Sequence, residues 1–153
     1  MKKIISILLI SFLFVLKLAC AAPQEQQLPA SGSVNSYTSA DRIAPFEIKA
    51  AQGNNYFVKL VNAYSEETVL TVFVRGGTTV NIDVPLGTYK VKYASGSTWY
   101  GENYLFGTYT SYSKTDKMFD FKIVGNQVSG FSMTLYTVAN GNLHMSKIPK
   151  SDF

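Results

Sequence analysis

The chain has 153 residues, of which 46% are hydrophobic and 16% charged, with 14 Lys and Arg against 10 Asp and Glu. Three of the lysines, Lys2, Lys3 and Lys17, lie in an apolar N-terminal segment, so the remainder carries eleven basic and ten acidic side chains, a net charge of +1. This balance excludes an electrostatic surface for nucleic acid or an anionic membrane, and the remaining length suits one domain.

Residues 1–21 have the features of a signal peptide. Two lysines precede a thirteen-residue apolar run from Ile4 to Leu16, which is shorter than the roughly 20 residues that a membrane-spanning helix needs. The small residues at 19-ACAA-22 fit ordinary signal-peptidase cleavage, which would leave Ala22 as the new N-terminus.

The single cysteine, Cys20, offers a second interpretation. The residues 17-KLAC-20 resemble a bacterial lipobox, in which the cysteine is acylated and becomes the mature N-terminus. Both routes remain open. Either one predicts an exported domain without a disulfide, whether periplasmic, secreted or an outer-membrane lipoprotein, and a lipid on Cys20 would be its membrane contact.

Residues 22–41 are rich in Gln, Ser, Ala and Pro and contain few side chains to bury. Such a segment does not recover its ordering entropy, so we predict a flexible tether here. The folded domain is then expected to span residues 42–153.

From residue 42 onward, apolar residues recur with a period of two, which indicates β-strands. Glycine, proline and asparagine turn signals separate the runs. Strands are predicted at 44–50, 55–63, 68–75, 78–84, 84–94 after a Pro85–Gly87 turn, 118–124, 127–138 and, after an Asn140-Gly141 turn, 142–148. We predict an all-β domain, an antiparallel β-sandwich of eight or nine strands of the Ig-like or transthyretin-like type, without substantial helix.

Two stretches resemble known families. The residues 80-VNIDVPLGTYKVKYAS-95 resemble the strand–turn–strand signature of transthyretin-like and carboxypeptidase-regulatory-like β-sandwiches, which implies that the tyrosine after the turn, Tyr89, is buried between sheets. Residues 87–107 (GTYKVKYASGSTWYGENYLFG) and 112–121 (YSKTDKMFDF) resemble a small uncharacterised bacterial module found behind leaders or membrane anchors. That resemblance implies a fold and a location but no activity.

Candidate catalytic residues lack the partners that catalysis requires. His144 is the only histidine, and by itself it supplies neither the several ligands of a metal site nor the base together with its orienting residue in a catalytic triad. Ser111 and Lys114 have the Ser-x-x-Lys spacing of penicillin-binding proteins, but the accompanying motifs of those enzymes are missing. We therefore assign no catalytic residue and expect a protein that is not an enzyme.

The remaining candidates are acidic residues and a glycine pair. Glu102, Asp116 and Asp120 flank the aromatic region without the spacing of a calcium loop, and are interpreted as solvated charges. Gly76-Gly77 lacks the following helix of a phosphate-binding loop and is interpreted as a turn. No metal or cofactor site is assigned.

Aromatic residues are concentrated in the stretch 96–113, within a predicted loop that runs from Gly96 to Lys117. One interpretation is that the rings fold over an open end of the sandwich as core. The other is that some remain exposed and bind a sugar or a protein. Alternation predicts that the adjacent pairs Trp99-Tyr100 and Leu105-Phe106 cannot all enter one core.

The sequence thus predicts a non-enzymatic binding module of the cell envelope or the extracellular space, whose partner is an envelope or host protein. The predicted contact residues are Trp99, Tyr100, Tyr104 and Phe106. A carbohydrate- or peptidoglycan-binding module that uses the same loop is the alternative. Nucleic acid is not an expected partner.

Overall fold

The computed structural model describes residues 22–135 and 145–153. Cys20, His144 and the predicted Asn140-Gly141 turn lie outside these ranges. The described residues form two short 3-10 turns, Gly107–Tyr109 and Lys150–Asp152, and twelve strands. The strands are β1 (Val34–Ser36), β2 (Arg42–Ala50), β3 (Asn55–Asn62), β4 (Thr68–Val74), β5 (Thr79–Pro85), β6 (Gly87–Gly96), β7 (Ser111–Thr115), β8 (Phe119–Phe121), β9 (Ile123–Val124), β10 (Gln127–Val128), β11 (Phe131–Leu135) and β12 (Met145–Lys147).

The strands form two main sheets. The large sheet has the order β1-β4-β3-β6-β7-β12, with β8 also paired to β6, and the small sheet has the order β11-β2-β5. Strands β9 and β10 form a separate hairpin. The predicted all-β sandwich is confirmed, and its pairs are antiparallel except that β11 runs parallel to β2.

The main core lies between the two sheets and is built from alternate residues of their strands. Phe46 on β2 of the small sheet contacts Phe119 and Phe121 on β8 of the large sheet, with ring centroids 5.6 and 5.5 Å apart. Each such ring contributes about 1.5–3 kcal/mol by leaving water. The two sheets are therefore held together by apolar burial.

Tyr89 follows the tight turn between β5 and β6 and is buried in this core. Its hydroxyl donates a hydrogen bond to the carbonyl oxygen of Leu86 at 3.0 Å. A Cβ at Gly87, where φ is +150°, would lie 2.7 Å from that hydroxyl oxygen, so the turn requires glycine. The Pro-x-Gly-x-Tyr sequence thereby sets the geometry at which β6 starts.

Much of the segment 22–41, for which the sequence predicts a tether, lies along the large sheet. Within this segment, β1 pairs with β4, and the Gly32 N–H donates to the carbonyl oxygen of Phe73 at 2.8 Å. The Arg75 guanidinium donates to the carbonyl oxygens of Leu28 and Pro29 at 2.7 and 2.8 Å. Main-chain hydrogen bonds order a segment whose composition offers little to bury.

The later strands also differ from the prediction. The predicted run 118–124 divides into β8 in the large sheet and β9 in the hairpin, and the run that starts at residue 127 divides at Ser129 and Gly130 into β10 and β11. Strand β7 lies inside the predicted 96–117 loop. The sequence of β7 is too polar to show an apolar alternation, and alternation therefore does not predict it. Because β7 begins at Ser111, the loop is shorter than predicted.

We expect Arg75→Ala to lower the free energy of unfolding by about 1–3 kcal/mol, because the carbonyl oxygens of Leu28 and Pro29 lose a charged donor. Urea denaturation measures the loss. Amide exchange should increase in residues 26–33. Arg42→Ala removes an exposed arginine from β2 and serves as the matched control. Equal stability of the two variants would contradict the role of Arg75.

Burial raises the pKa of Tyr56 and of Tyr93, whose rings lie edge to face with centroids 6.0 Å apart. Since the pKa of each phenol is higher in the folded than in the unfolded state, their contribution to stability is complete below pH ~10 and is lost as the pH rises. We expect the free energy of unfolding in urea to fall above pH ~10. In Tyr56→Phe the fall should be shallower, and an unchanged slope would contradict this assignment.

Candidate functional site

The outer face of the large sheet, which points away from the small sheet, carries a second apolar cluster. Phe57 on β3 and Phe73 on β4 project from this face, and Trp99 packs on both, with ring centroids 5.6 and 5.0 Å away. Phe106 contacts Trp99 at 5.3 Å. The buried members of this outer cluster are Phe57, Phe73, Ala94, Trp99, Leu105 and Phe106.

The loop 97–110 carries Trp99, Leu105 and Phe106 into the outer cluster by leaving the extended conformation. Leu105 has a φ of +52°, in the left-handed region that most residues avoid. This backbone turn lets Leu105 and Phe106 enter the same core, which period-two alternation would not allow. The Leu105 N–H donates to the carbonyl oxygen of Gly101, and the Tyr100 N–H donates to that of Leu105, at 2.6 and 2.8 Å.

The four predicted contact residues do not form one exposed surface. Trp99 and Phe106 are each only 3% exposed and belong to the outer cluster. Tyr100 is half-buried, and Tyr104 is 52% exposed. Tyr109, which the sequence analysis did not select, is 92% exposed. Two of the four predicted contact residues, Trp99 and Phe106, are therefore core. The exposed aromatic surface is supplied by tyrosines.

Tyr100 and Tyr109 line an open cleft of about 420 Å³ at this end of the sandwich, which we call the tyrosine cleft. Within the described residues, no charged side chain lines it. Its uncharged polar side chains are those of Asn54, Ser95, Ser97, Thr98, Thr108 and Ser111. The start of the described chain, Ala22 and Pro23, forms part of the rim.

The position of the Tyr100 ring depends on Gly107. At Gly107 φ is +71°, and a Cβ there would lie 3.0 Å from the Cε2 atom of Tyr100. The Thr110 hydroxyl fixes the same turn, because it donates to the carbonyl oxygen of Gly107 at 2.7 Å and accepts from the Phe106 N–H at 3.1 Å. One wall of the tyrosine cleft is thus set by the backbone of the loop.

The other half of the outer face is charged. Lys59, Lys92 and Lys114 lie opposite one another on β3, β6 and β7. Like charges in such positions destabilise a sheet. The pKa of Lys59 is lowered mainly by burial and secondly by the positive charge of Lys92. Glu66 offsets the repulsion because its carboxylate contacts the Nζ atoms of Lys90 and Lys92, which also lowers the pKa of Glu66.

The candidate catalytic pair of the sequence analysis is not brought together. Ser111 is paired with Ser95 and Lys114 with Lys92, and residues three apart on a strand point to opposite faces. Ser111 lines the tyrosine cleft, whereas Lys114 lies in the charged half of the outer face. Gly76-Gly77 forms the turn between β4 and β5.

The three candidate acidic residues are also held apart, each by a different partner. Glu102 accepts a hydrogen bond from the Asn35 amide at 2.7 Å, and Asp116 accepts one from the Ser146 hydroxyl at 3.1 Å. Asp120 pairs with Lys122 at 2.7 Å. Among residues 22–135 and 145–153, no three His, Cys, Asp or Glu side chains are grouped to hold a metal ion.

Comparison of the chain with protein-family models, with curated proteins and with solved structures gives no match. In the part of the chain that the structure describes, no helix is long and apolar enough to cross a membrane.

We expect Trp99→Ala and Phe106→Ala each to lower the free energy of unfolding by about 3–5 kcal/mol, because both remove a buried ring from the outer cluster. Tyr109→Ala is the matched control and should change it by less than about 0.5 kcal/mol. Urea denaturation followed by far-ultraviolet circular dichroism measures all three. A loss below about 1 kcal/mol for Trp99→Ala would show that its ring is not core.

Proposed function

We propose that this domain is a non-enzymatic binding module and that its tyrosine cleft holds an uncharged carbohydrate chain. The observation that supports this ligand class is the lining: two tyrosine rings and six hydroxyl- or amide-bearing side chains, with no charged side chain among the described residues. The cleft volume of about 420 Å³ also falls in the range of small-molecule sites.

The chemistry of the lining matches that of a sugar. A pyranose presents apolar C–H faces, which pack on aromatic rings, and a rim of hydroxyl groups that both donate and accept hydrogen bonds. Serine and threonine hydroxyls and the Asn54 amide can likewise donate and accept. An anionic or cationic ligand would gain no counter-charge from the side chains that line this cleft.

A protein partner, the first expectation from the sequence, receives less support from this geometry. Two of its four predicted contact residues, Trp99 and Phe106, are occupied in the outer cluster. Protein interfaces rely on a few large anchors such as Trp, Tyr and Arg that become fully buried in the complex. Here Tyr100, Tyr104 and Tyr109 would have to serve as those anchors. A protein ligand is therefore the competing outcome of the test below.

Export by the predicted leader, residues 1–21, would bring the cleft to envelope or extracellular glycans. The structure starts at Ala22, next to the cleft. If Cys20 carries a lipid, the cleft lies close to the anchored end of the chain. If cleavage leaves Ala22 as the terminus, the new ammonium group would lie on the cleft rim, where it can donate hydrogen bonds to the hydroxyl groups of a neutral sugar. Both routes are part of the proposal.

The test is a calorimetric titration of the purified protein with neutral oligosaccharides of different linkage, and with peptidoglycan fragments with and without their peptides. Trp99 is the only tryptophan and packs on Phe106, which lines the cleft, so its emission gives a second signal. We expect Tyr100→Ala and Tyr109→Ala each to weaken binding ~10-fold or more, since a stacking face is lost.

Tyr64→Ala is the control for this experiment, because Tyr64 is 81% exposed and follows β3 at the end opposite the cleft. It should leave the affinity unchanged. Absence of heat with every neutral glycan, together with capture of an envelope protein that Tyr100→Ala abolishes, would replace the carbohydrate proposal with the protein one.

A further inference from the structure

Within the described ranges, 22–135 and 145–153, no further strand pairs to either edge of the small sheet, and the longer of the two edge strands is β5, with seven residues against five in β11. Strand β5 is hydrogen-bonded to β2 on one side, and it forms the end of the sheet on the other. In the large sheet, by contrast, β1 pairs with the outer edge of β4. Main-chain N–H and C=O groups along an open edge are positioned to pair with another strand.

Two hydrogen bonds show which groups of β5 point outward. The Ala50 N–H donates to the carbonyl oxygen of Thr78 at 2.9 Å, and the Ala51 N–H donates to that of Leu135, on the opposite side of β2, at 3.0 Å. In an antiparallel pair, bonded and non-bonded positions alternate. The residues of β5 that direct their N–H and C=O groups to the open edge are therefore Thr79, Asn81 and Asp83.

We propose that two copies of this chain pair through β5 across a two-fold axis at Asn81, which joins two small sheets into one of six strands. In this register Asn81 lies opposite Asn81 of the partner subunit, and Thr79 lies opposite Asp83 of the partner subunit. Each copy supplies three outward N–H groups and three outward carbonyls, all from residues other than proline, so every group finds a partner.

The exposed side chains along this edge also complement each other. Lys49 on β2, whose Nζ contacts the Glu47 carboxylate at 2.9 Å, is paired with Thr79, so in the dimer its Cα lies ~10 Å from that of Asp83 of the partner subunit, and the lysine can reach either carboxylate. The two Asp83 carboxylates are at opposite ends of the interface. At the axis, the two Asn81 amides can each donate and accept. Pro85 lacks an N–H and limits the pairing at one end.

This inference is independent of the proposed carbohydrate ligand, because β5 contributes no residue to the tyrosine cleft. The two β5 strands run antiparallel, so the two clefts would lie at opposite ends of the joined sheet. A dimer of this kind could bind two separate segments of one polymer, which increases affinity without a new contact.

Sedimentation equilibrium of the purified protein, at concentrations up to ~1 mM, tests the proposal. A monomer–dimer equilibrium is expected. Asn81→Lys places two lysines opposite each other at the axis and should raise the dimer dissociation constant at least ~10-fold. Gln127→Lys adds the same charge on the exposed β9–β10 hairpin and should leave the constant unchanged.

Asn81→Pro supplies a second arm, because it removes an N–H that β2 does not use. Proline is tolerated on edge strands with this orientation, so the fold should persist while the dimer is lost. Asn81→Cys should form an intermolecular disulfide, since paired residues of this type have Cα atoms ~5.5 Å apart. A wild-type monomer throughout the range would overturn the proposal. A dimer that persists in folded Asn81→Lys and Asn81→Pro would overturn it too.

Discussion

The contact between Phe73 and Trp99 determines how the chain outside the main sandwich is arranged. Strands β3 and β4 carry apolar side chains on both faces of the large sheet, and the small sheet covers only one of these two faces. The other face carries Phe57 and Phe73, which would lie in water if nothing covered them. The loop 97–110 supplies that cover with Trp99 at its centre, and this requirement explains why a long aromatic loop follows β6.

The N-terminal segment completes the same cover. Leu28 packs against the outer cluster, and the Gln26 N–H donates to the carbonyl oxygen of Trp99 at 2.8 Å. Arg75, at the end of β4, fixes the adjacent carbonyl oxygens. The segment and the loop therefore stabilise each other over one sheet face. Their junction forms the tyrosine cleft, whose rim includes residues from both.

Burial on the outer face also divides it by charge. Where Phe57, Phe73 and Ala94 project, the face is covered, and the side chains that line the adjacent tyrosine cleft are neutral. Where Lys59 and Lys92 project, the face stays partly open: Lys92 pairs with Glu66, and the Lys59 Nζ donates to the carbonyl oxygen of Phe153 at 3.0 Å. The division follows from single positions on β3 and β6, since Phe57 and Lys59 are only two residues apart. A cleft lined by uncharged side chains thus lies next to a sheet face with four lysines.

The strands that bury one or both faces could be predicted from alternation, as β2 to β6 show. Alternation failed where other forces decide the structure. Strand β1 and the segment before it are ordered by main-chain hydrogen bonds, which composition does not reveal. Strand β7 is polar, so alternation places it in the loop. The joint burial of Leu105 and Phe106 depends on a left-handed φ at a leucine, a conformation that the residue type does not signal.

The same left-handed turn helps to give the tyrosine cleft its shape in the absence of a ligand. Trp99 and Phe106 fix the loop to the sheet, and Gly107 allows the Tyr100 ring to lie against the backbone. A ligand would then order few new torsions, so little of its binding free energy would be spent on the protein. Since Trp99 and Tyr100 are adjacent, stability and the proposed ligand binding would be coupled through one peptide unit. Changes that loosen the outer cluster should therefore weaken binding even when they touch no residue of the cleft.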